Sequence, residues 1–373
     1  MKTMIDVESA EDQTTMTRRN EMEHFEPLPG GLPEAWRERH PARRLRLLRQ
    51  AAAKTRELLL SPGSVASCST HKLVTFPYPT MYAFSSGARS LAPFVMMTNR
   101  MQIVQFQREG KRFTLLFNPS DIEANRAATY YADLAKRFGD FLSRKVIPTY
   151  FGTVEDHVRN AGLSVTDIDF IAFDHLHVQD LRRWLGGSGT PPVFPNAKLL
   201  VMRSEWETVT DLHPMNAVWY VPNGCDIPPE RVVLLDGDVL LGRGVALLST
   251  PGHTRGNMSL CVITPEGPFV VSENGVAAES YAPLQSKIFG VSAYADQMGA
   301  EVILNGNTRE DSLDQYSSMI VEKVIAGPAK TDPTFPAFAA SSELTASILA
   351  PGLAPTFTFT PIDVGAHQRS TGR

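Results

Sequence analysis

The chain has no run of about 18 apolar residues, the length a helix needs to cross a bilayer, so no membrane span is expected. Its first segment, Met1–Thr17, carries Asp6, Glu8, Glu11 and Asp12 and lacks the apolar stretch of a secretory signal. Cysteine is scarce. Cys68, Cys225 and Cys261 are odd in number, far apart and never in a Cys-x-x-Cys pair, which excludes a disulfide framework and a cysteine zinc site. Reduced, buried thiols and a cytoplasmic address are the expectation. Surplus positive charge is also absent: the net charge is -4 and the pI near 6.2, so no overall field would hold nucleic acid or an anionic membrane. A Gly-rich phosphate loop, a Gly-x-Ser-x-Gly elbow and a setting for a nucleophilic cysteine are all missing. The expected partner is a small-molecule substrate, and a homo-oligomer is compatible with everything above.

What is present suffices for a large core. Of 373 residues, 43% are hydrophobic and 20% charged, proportions of an ordinary globular chain, and the length fits one large domain with extensions. Residues 1–34 read as a flexible leader ending in the breaker cluster from Pro27 to Pro33. Residues 35–75 read as a helical extension, because Ala35 to Leu60 has basic residues and an apolar face at helical spacing. Its positive charge is assigned to a solvated face packed on the main domain. Residues 76–326 form the main domain, and 327–373 are a Pro-, Ala- and Thr-rich extension with little periodicity.

Within the main domain, β-like runs are predicted at Thr75–Phe84, Phe94–Met97, Gln102–Phe106, Phe113–Phe117 and Ile168–Phe173. Further strands are predicted at Lys198–Met202, Val232–Leu235, Val245–Ser249, Ser259–Ile263, Phe269–Val271 and Glu301–Leu304. Helices are predicted at Ile122–Phe141, Val154–Ala161 and Asp311–Val324. Strands, helices, strands and a helix without a βαβ period argue for packed sheets with helical layers rather than a Rossmann sheet.

The chemistry concentrates in three segments. In the first, the apolar strand before Asp174 delivers His175 and His177, which point to one side because residues two apart in extended chain share a face. That pattern suits a metal ion. In the second, His253 lies in the turn Thr250-Pro251-Gly252-His253-Thr254-Arg255-Gly256, where glycine lets backbone approach a site. In the third, Glu273 and Asn274 follow the apolar Phe269–Val271. Three imidazoles with an oxygen nearby suit zinc in its catalytic form, which keeps a position for water.

The order of these segments resembles the metallo-β-lactamase superfamily: a strand into a His-x-His-x-Asp-His loop, a later Thr-Pro-Gly-His-Thr turn, then a strand ending in an acidic ligand. The similarity runs from about Phe76 to Val324. It implies an α+β fold of two packed, mainly antiparallel sheets with helices outside, and metal ligands at His175, His177, His253 and Glu273. The chain departs from the pattern where the family carries its second set of ligands, since Gln179-Asp180 replaces Asp-His and Asn305-Gly306-Asn307 replaces a late histidine. One zinc ion per chain is therefore expected, with iron as the alternative. The implied activity is hydrolysis of a small, partly apolar substrate, with lactone or ester hydrolysis and hydrolytic dehalogenation both open. A mononuclear iron oxygenase and a degenerate metal-binding protein are the rivals. Asp180 is the expected base, with a helix N-cap as its competing role. Asn274 and Asn307 are candidates for holding an oxyanion, with satisfaction of turn backbone as the competing role, Asp174 is a partner of a ligand imidazole, and Trp219-Tyr220 a pocket wall.

Overall fold

In a computed structural model, residues 25–129, 132, 136, 139, 147–307, 311–359 and 361–369 are described. The expected leader lies largely outside the described residues, as does part of the helix expected over Ile122–Phe141, which begins with a short helix, Ile122–Asn125.

Two sheets pack face to face. One has six strands in the order Glu26–Pro27, Val239–Gly242, Val245–Ser249, Met258–Thr264, Gly267–Ser272 and Phe338–Ala340, antiparallel except for the last pairing. The other runs Asp363–Val364, Ser67–Pro79, Phe94–Arg108, Lys111–Phe117, Phe170–Ala172, Lys198–Met202 and Val232–Leu235. Ser342–Thr345 joins it on Phe94–Arg108 and Thr149–Tyr150 on Ser67–Pro79. Its pairs are antiparallel up to Lys111–Phe117 and parallel beyond.

Both faces of the central strands are covered, which is why they read as continuous apolar runs. Leu247, Leu260 and Val262 point between the sheets with Phe106, Phe117 and Leu200. Their neighbours Leu248, Cys261 and Ile263 point outward to the helices Leu32–Trp36, Pro41–Leu60 and Ser312–Ala326. The parallel strands are covered on their outer side by a cluster with Val158, Leu163, Trp184 and Phe194.

The segments expected as extensions are built into these layers. Ser67–Pro79 crosses the boundary expected at 75/76, and Phe338–Ala340, Ser342–Thr345 and Asp363–Val364 come from the stretch read as aperiodic. The expected helix from Ala35 to Leu60 is two helices, because Pro41 begins the second one, where its missing N–H costs nothing. Pro33 likewise sits in the first turn of the helix Leu32–Trp36. Of the second helix's basic residues, Arg43, Arg46 and Lys54 are exposed, whereas Arg44 pairs with Asp314 and Arg56 donates to the carbonyl of Ile325 near the negative end of Ser312–Ala326, and Arg49 pairs with Glu301 at 2.6 Å. Glu301–Leu304, expected as a strand, joins neither sheet. Among the described residues no helix is long and apolar enough to cross a membrane.

One buried acid fixes an edge of the six-stranded sheet. Asp238 accepts from the Ser249 amide at 2.8 Å, and its carbonyl accepts from Leu28. Burial pushes its carboxyl up to about 7, against the pull of the Ser249 amide and with a push from Glu34. The native state therefore holds a proton that an unfolded carboxyl, with a pKa of about 3.9, has released, and this contribution to stability is lost as pH rises from about 4 through about 7. Asp238→Asn keeps the acceptor and removes the titration. Its stability relative to the parent should rise across that window, by on the order of a few kcal/mol at the top of it. Urea midpoints that differ by the same amount at every pH would refute this account.

Candidate metal centre

The site is assembled where strands of both sheets end. Phe170–Ala172 pairs in parallel with Lys111–Phe117, so the residues after each strand emerge side by side. Asn118 and Asp174 lock there: the Asn118 amide nitrogen donates to Asp174 Oδ2 at 3.0 Å, and its oxygen accepts from the Asp174 N–H at 3.0 Å. Asp174 Oδ1 in turn accepts from the backbone N–H of His175 at 2.8 Å and from its ring Nδ1 at 2.7 Å. A carboxylate only accepts, so Nδ1 carries the proton and Nε2 is left for a ligand. Val178 then adopts a φ of 57°, uncommon for a β-branched residue, and its N–H donates to Trp219 O at 2.7 Å. This bend closes the loop around His177.

His253 comes from the other sheet, in the turn between Val245–Ser249 and Met258–Thr264. Gly252 has φ 145°, and a Cβ there would lie 2.1 Å from the Gln315 Cα, so the turn packs directly on the helix Ser312–Ala326. The amide of Met258 donates to the carbonyl of Asp174 at 2.8 Å, joining the two ligand segments.

His175, His177 and His253 present ring nitrogens that all lie within 4.8 Å of one another. Their ring centroids are 4.7 Å apart for His175 and His177, 4.5 Å for His175 and His253, and 5.3 Å for His177 and His253. Both ring nitrogens of His177 and Nδ1 of His253 are buried with no hydrogen-bond partner. Buried polar atoms are almost always satisfied, so such a convergence fits a cation better than an empty core. Burial and then the neighbouring imidazoles hold His177 and His253 well below the ordinary histidine pKa, in the neutral form that binds metal. For His175, burial opposes the charge but is outweighed by Asp174, and its pKa is raised.

The triad opens into a cavity of about 170 Å³. Val74, Phe76, Ile122, Ile147, Pro148 and Trp219 make an apolar wall, and Asn99, Ser341 and Asn307 bring polar groups to it. Glu273 also lines this cavity but stands outside the cluster of converging nitrogens. Its Oε2 accepts from the Ser342 N–H at 2.8 Å, and burial, followed by the charge of Asp174, pushes its carboxyl up to about 8.

Several expected roles change. Asp180 is not on the cavity wall, because its Oδ1 and Oδ2 both face the Arg182 guanidinium, at 2.9 and 2.5 Å. Leu181 holds the N-cap position without a side-chain bond, while Asp180 Oδ1 accepts from the Arg182 backbone N–H at 3.1 Å and so helps to cap that helix from one residue further back. Asn274 is fully buried and faces away from the cavity: Oδ1 accepts from the His253 N–H at 3.1 Å, and Nδ2 donates to Thr250 O and Glu322 Oε1. It shapes the His253 turn instead of meeting an oxyanion. Gln179 reaches the cavity and donates to Ser120 at 3.1 Å. Trp219 lines the cavity, whereas Tyr220 is buried behind His177 with ring centroids 4.9 Å apart.

Three contributors went unread in the sequence. Asn118 is an ordinary polar residue after a strand. Glu322 sits inside a helix, yet its buried carboxylate takes Ser259, Asn274 and Tyr281. Glu205 occupies the first turn of Arg203–Thr210, where acids are common for helix reasons alone.

Two stacked sheets clad in helices, with His-x-His after a strand of one and His253 in a turn of the other, make the α+β sandwich that the resemblance to metallo-β-lactamases implied. Curated proteins that it resembles in sequence include lactonases. The chain is 31% identical over 139 residues to an N-acyl homoserine lactonase of a Bacillus species, covering 36% of this chain and 50% of that one. It is 30% identical over 137 residues to the N-acyl homoserine lactonase AiiA of Bacillus thuringiensis subsp. kurstaki, covering 36% and 49%. The chain thus matches about half the length of these relatives. No family model matches it. Among solved structures, AidC, a dizinc quorum-quenching lactonase, aligns with a TM-score of 0.49 and 13% identity over 81% of this chain and 95% of that one. A probable metal-dependent hydrolase from Staphylococcus aureus aligns with a TM-score of 0.48 and 11% identity over 68% and 83%.

The reassignment of Asn274 can be checked through stability. Asn274→Ala would leave the His253 amide and part of the Glu322 carboxylate buried without partners, which should cost about 2–5 kcal/mol. An oxyanion donor would instead affect turnover and leave the denaturation midpoint near that of the parent.

Proposed function

We propose that this chain is a metal-dependent hydrolase that opens lactones of the N-acyl homoserine type, using one zinc ion. The observation that carries the reading is the meeting of three buried imidazoles, with orphaned ring nitrogens, at the base of a cavity walled on one side by apolar side chains. The named activity of the relatives agrees with the lactone option among those open in the sequence. Hydrolytic dehalogenation and the iron-oxygenase alternative receive no support from them.

His175 through Nε2, His177 and His253 would hold the ion, with Glu273 Oε1 on the cavity lining a candidate for a fourth protein contact, since Oε2 is taken by Ser342. Zinc would supply a Lewis acid for the ester carbonyl and bring the pKa of water down to about 7. The protein's own part is positioning. Asp174 fixes the His175 ring, Asn274 the His253 turn, and the wall of Val74, Phe76 and Trp219 would exclude water from an acyl chain.

A single ion is favoured by what stands at the positions of the second ligand set. Gln179 and Asn307 offer neutral amide oxygens, and the Asp180 carboxylate is engaged by Arg182. Elemental analysis of protein purified without added metal should return close to one zinc per chain. His175→Ala and His253→Ala should each lose the metal together with hydrolysis. Two equally tight ions per chain would end the mononuclear reading.

Ring opening releases an acid, so a pH-stat assay with an N-acyl homoserine lactone should register turnover that a chelator abolishes. Asp180→Asn should keep its rate within a few-fold of the parent, where loss of a general base would cost about 10²–10⁴-fold. An intact, zinc-loaded chain that releases no acid from any such lactone would overturn the substrate assignment.

A further inference from the structure

Beside the triad, but outside the cavity, lies a buried carboxylate that none of the steps above uses. Glu205 projects from the first turn of Arg203–Thr210 and is 1% exposed. Its Oε1 accepts from the backbone N–H of Leu176 at 2.7 Å, and its Oε2 from the Thr254 hydroxyl at 2.6 Å. The N–H of Gly256 also donates to it, and Tyr220 OH approaches Oε1 at 3.5 Å. Leu176 is the residue between His175 and His177, and Thr254 follows His253. One carboxylate therefore grips both segments that carry the imidazoles, each at a residue adjacent to a ligand.

The approach is close by construction. A Cβ at Gly256 would lie 2.1 Å from the Glu205 N, so only glycine lets the His253 turn come near enough to share the carboxylate. Burying an acid is costly unless it is well hydrogen-bonded, and here the donors come from two different sheets' loops. A helix-terminus acid would need neither.

We propose that Glu205 is a positioning residue that sets the separation of the His175–His177 loop and the His253 turn, and thereby the affinity of the site for its ion. This rests on the metal reading above. Asp174 orients one ring, while Glu205 fixes the distance between two chain segments. The carboxylate is matched to the task because it can accept from both sides at once. Glutamine, with the same shape, must turn an NH₂ toward a donor.

The test measures zinc affinity by chelator competition in the full chain, alongside the far-UV spectrum and the melting temperature of the metal-free protein. Glu205→Gln should weaken zinc binding by about 10–100-fold, the range for groups that orient metal ligands. Thr254→Val, which removes one donor at nearly constant volume, should weaken it less. The double variant should lose less than the product of the two single effects, because both act through one contact. Leu32→Ala, a truncation in the core at the far helices, serves as a control for general destabilisation.

If Glu205→Gln does not fold, Thr254→Val alone decides, and a parental zinc affinity in it would overturn the proposal. So would a Glu205→Gln affinity equal to the parent's, or a loss matched by Leu32→Ala at a comparable drop in melting temperature. A parent chain that takes up no zinc would remove the metal reading and the clamp together. A parent that binds zinc as tightly as its Glu205→Gln variant would remove the clamp alone. A cobalt-substituted protein gives an independent readout: its visible spectrum should shift in Glu205→Gln and stay parental in Leu32→Ala.

Discussion

The amide of Met258 donates to the carbonyl of Asp174 at 2.8 Å, and through that bond the end of a strand in one sheet meets the start of a strand in the other. Sheets that pack face to face share side chains, and their backbones seldom touch. Here the contact lies at the edge where His175, His177 and His253 emerge. Three imidazoles can share one point only if both sheets keep their register there, so much of the surrounding structure serves that junction. Asn118 and Asp174 hold one side, Asn274 and Glu322 the other, and Glu205 spans them.

The electrostatics of the junction are uneven in a useful way. Near the triad the acids are buried and hydrogen-bonded, and Glu205, Glu273 and Glu322 all have their carboxyls raised, in each case chiefly by burial. A cation among them would relieve that cost. A few residues further along the first loop the character changes, because Asp180 has its own cation in Arg182. The carboxylate that follows Gln179 is thus committed to a local ion pair.

How much of this was legible in the sequence depended on how local each cause was. Lys198–Met202, Val232–Leu235 and Val245–Ser249 were readable to their ends, since both faces of each are covered and each run stops at a turn or a polar residue. The His-x-His spacing was readable as a motif, although both rings lie past the end of Phe170–Ala172, in the loop that Asp174 and the Val178 bend shape. Phe94–Arg108 was split at Asn99-Arg100, where a charged residue looked like a break. In the fold Arg100 is buried and donates to Ala340 O and Glu343, partners about 240 residues away that no local pattern reveals. For Asp180 and Asn274 the sequence left a catalytic and a structural role open for a related reason. Residue type and position beside a ligand fit a catalytic role, but the direction of each side chain was set by Arg182 and Glu322, and the second of these is far off in sequence. Phe338–Ala340 and Ser342–Thr345 have no helical or strand period of their own and take their form from the edges they join.

Those late strands bear on how the chain is made. Phe338–Ala340 closes the six-stranded sheet beside Gly267–Ser272, Ser342 supplies the amide that holds Glu273, and Asp363–Val364 lies on Ser67–Pro79. Synthesis runs from the first residue to the last, so the three histidines are already outside the ribosome while both sheets still lack a bordering strand. During that interval the strand edges are open to wrong partners and the wall that carries Glu273 is incomplete. The centre is thus finished in an order set by translation: ligands first, then the segment that encloses them.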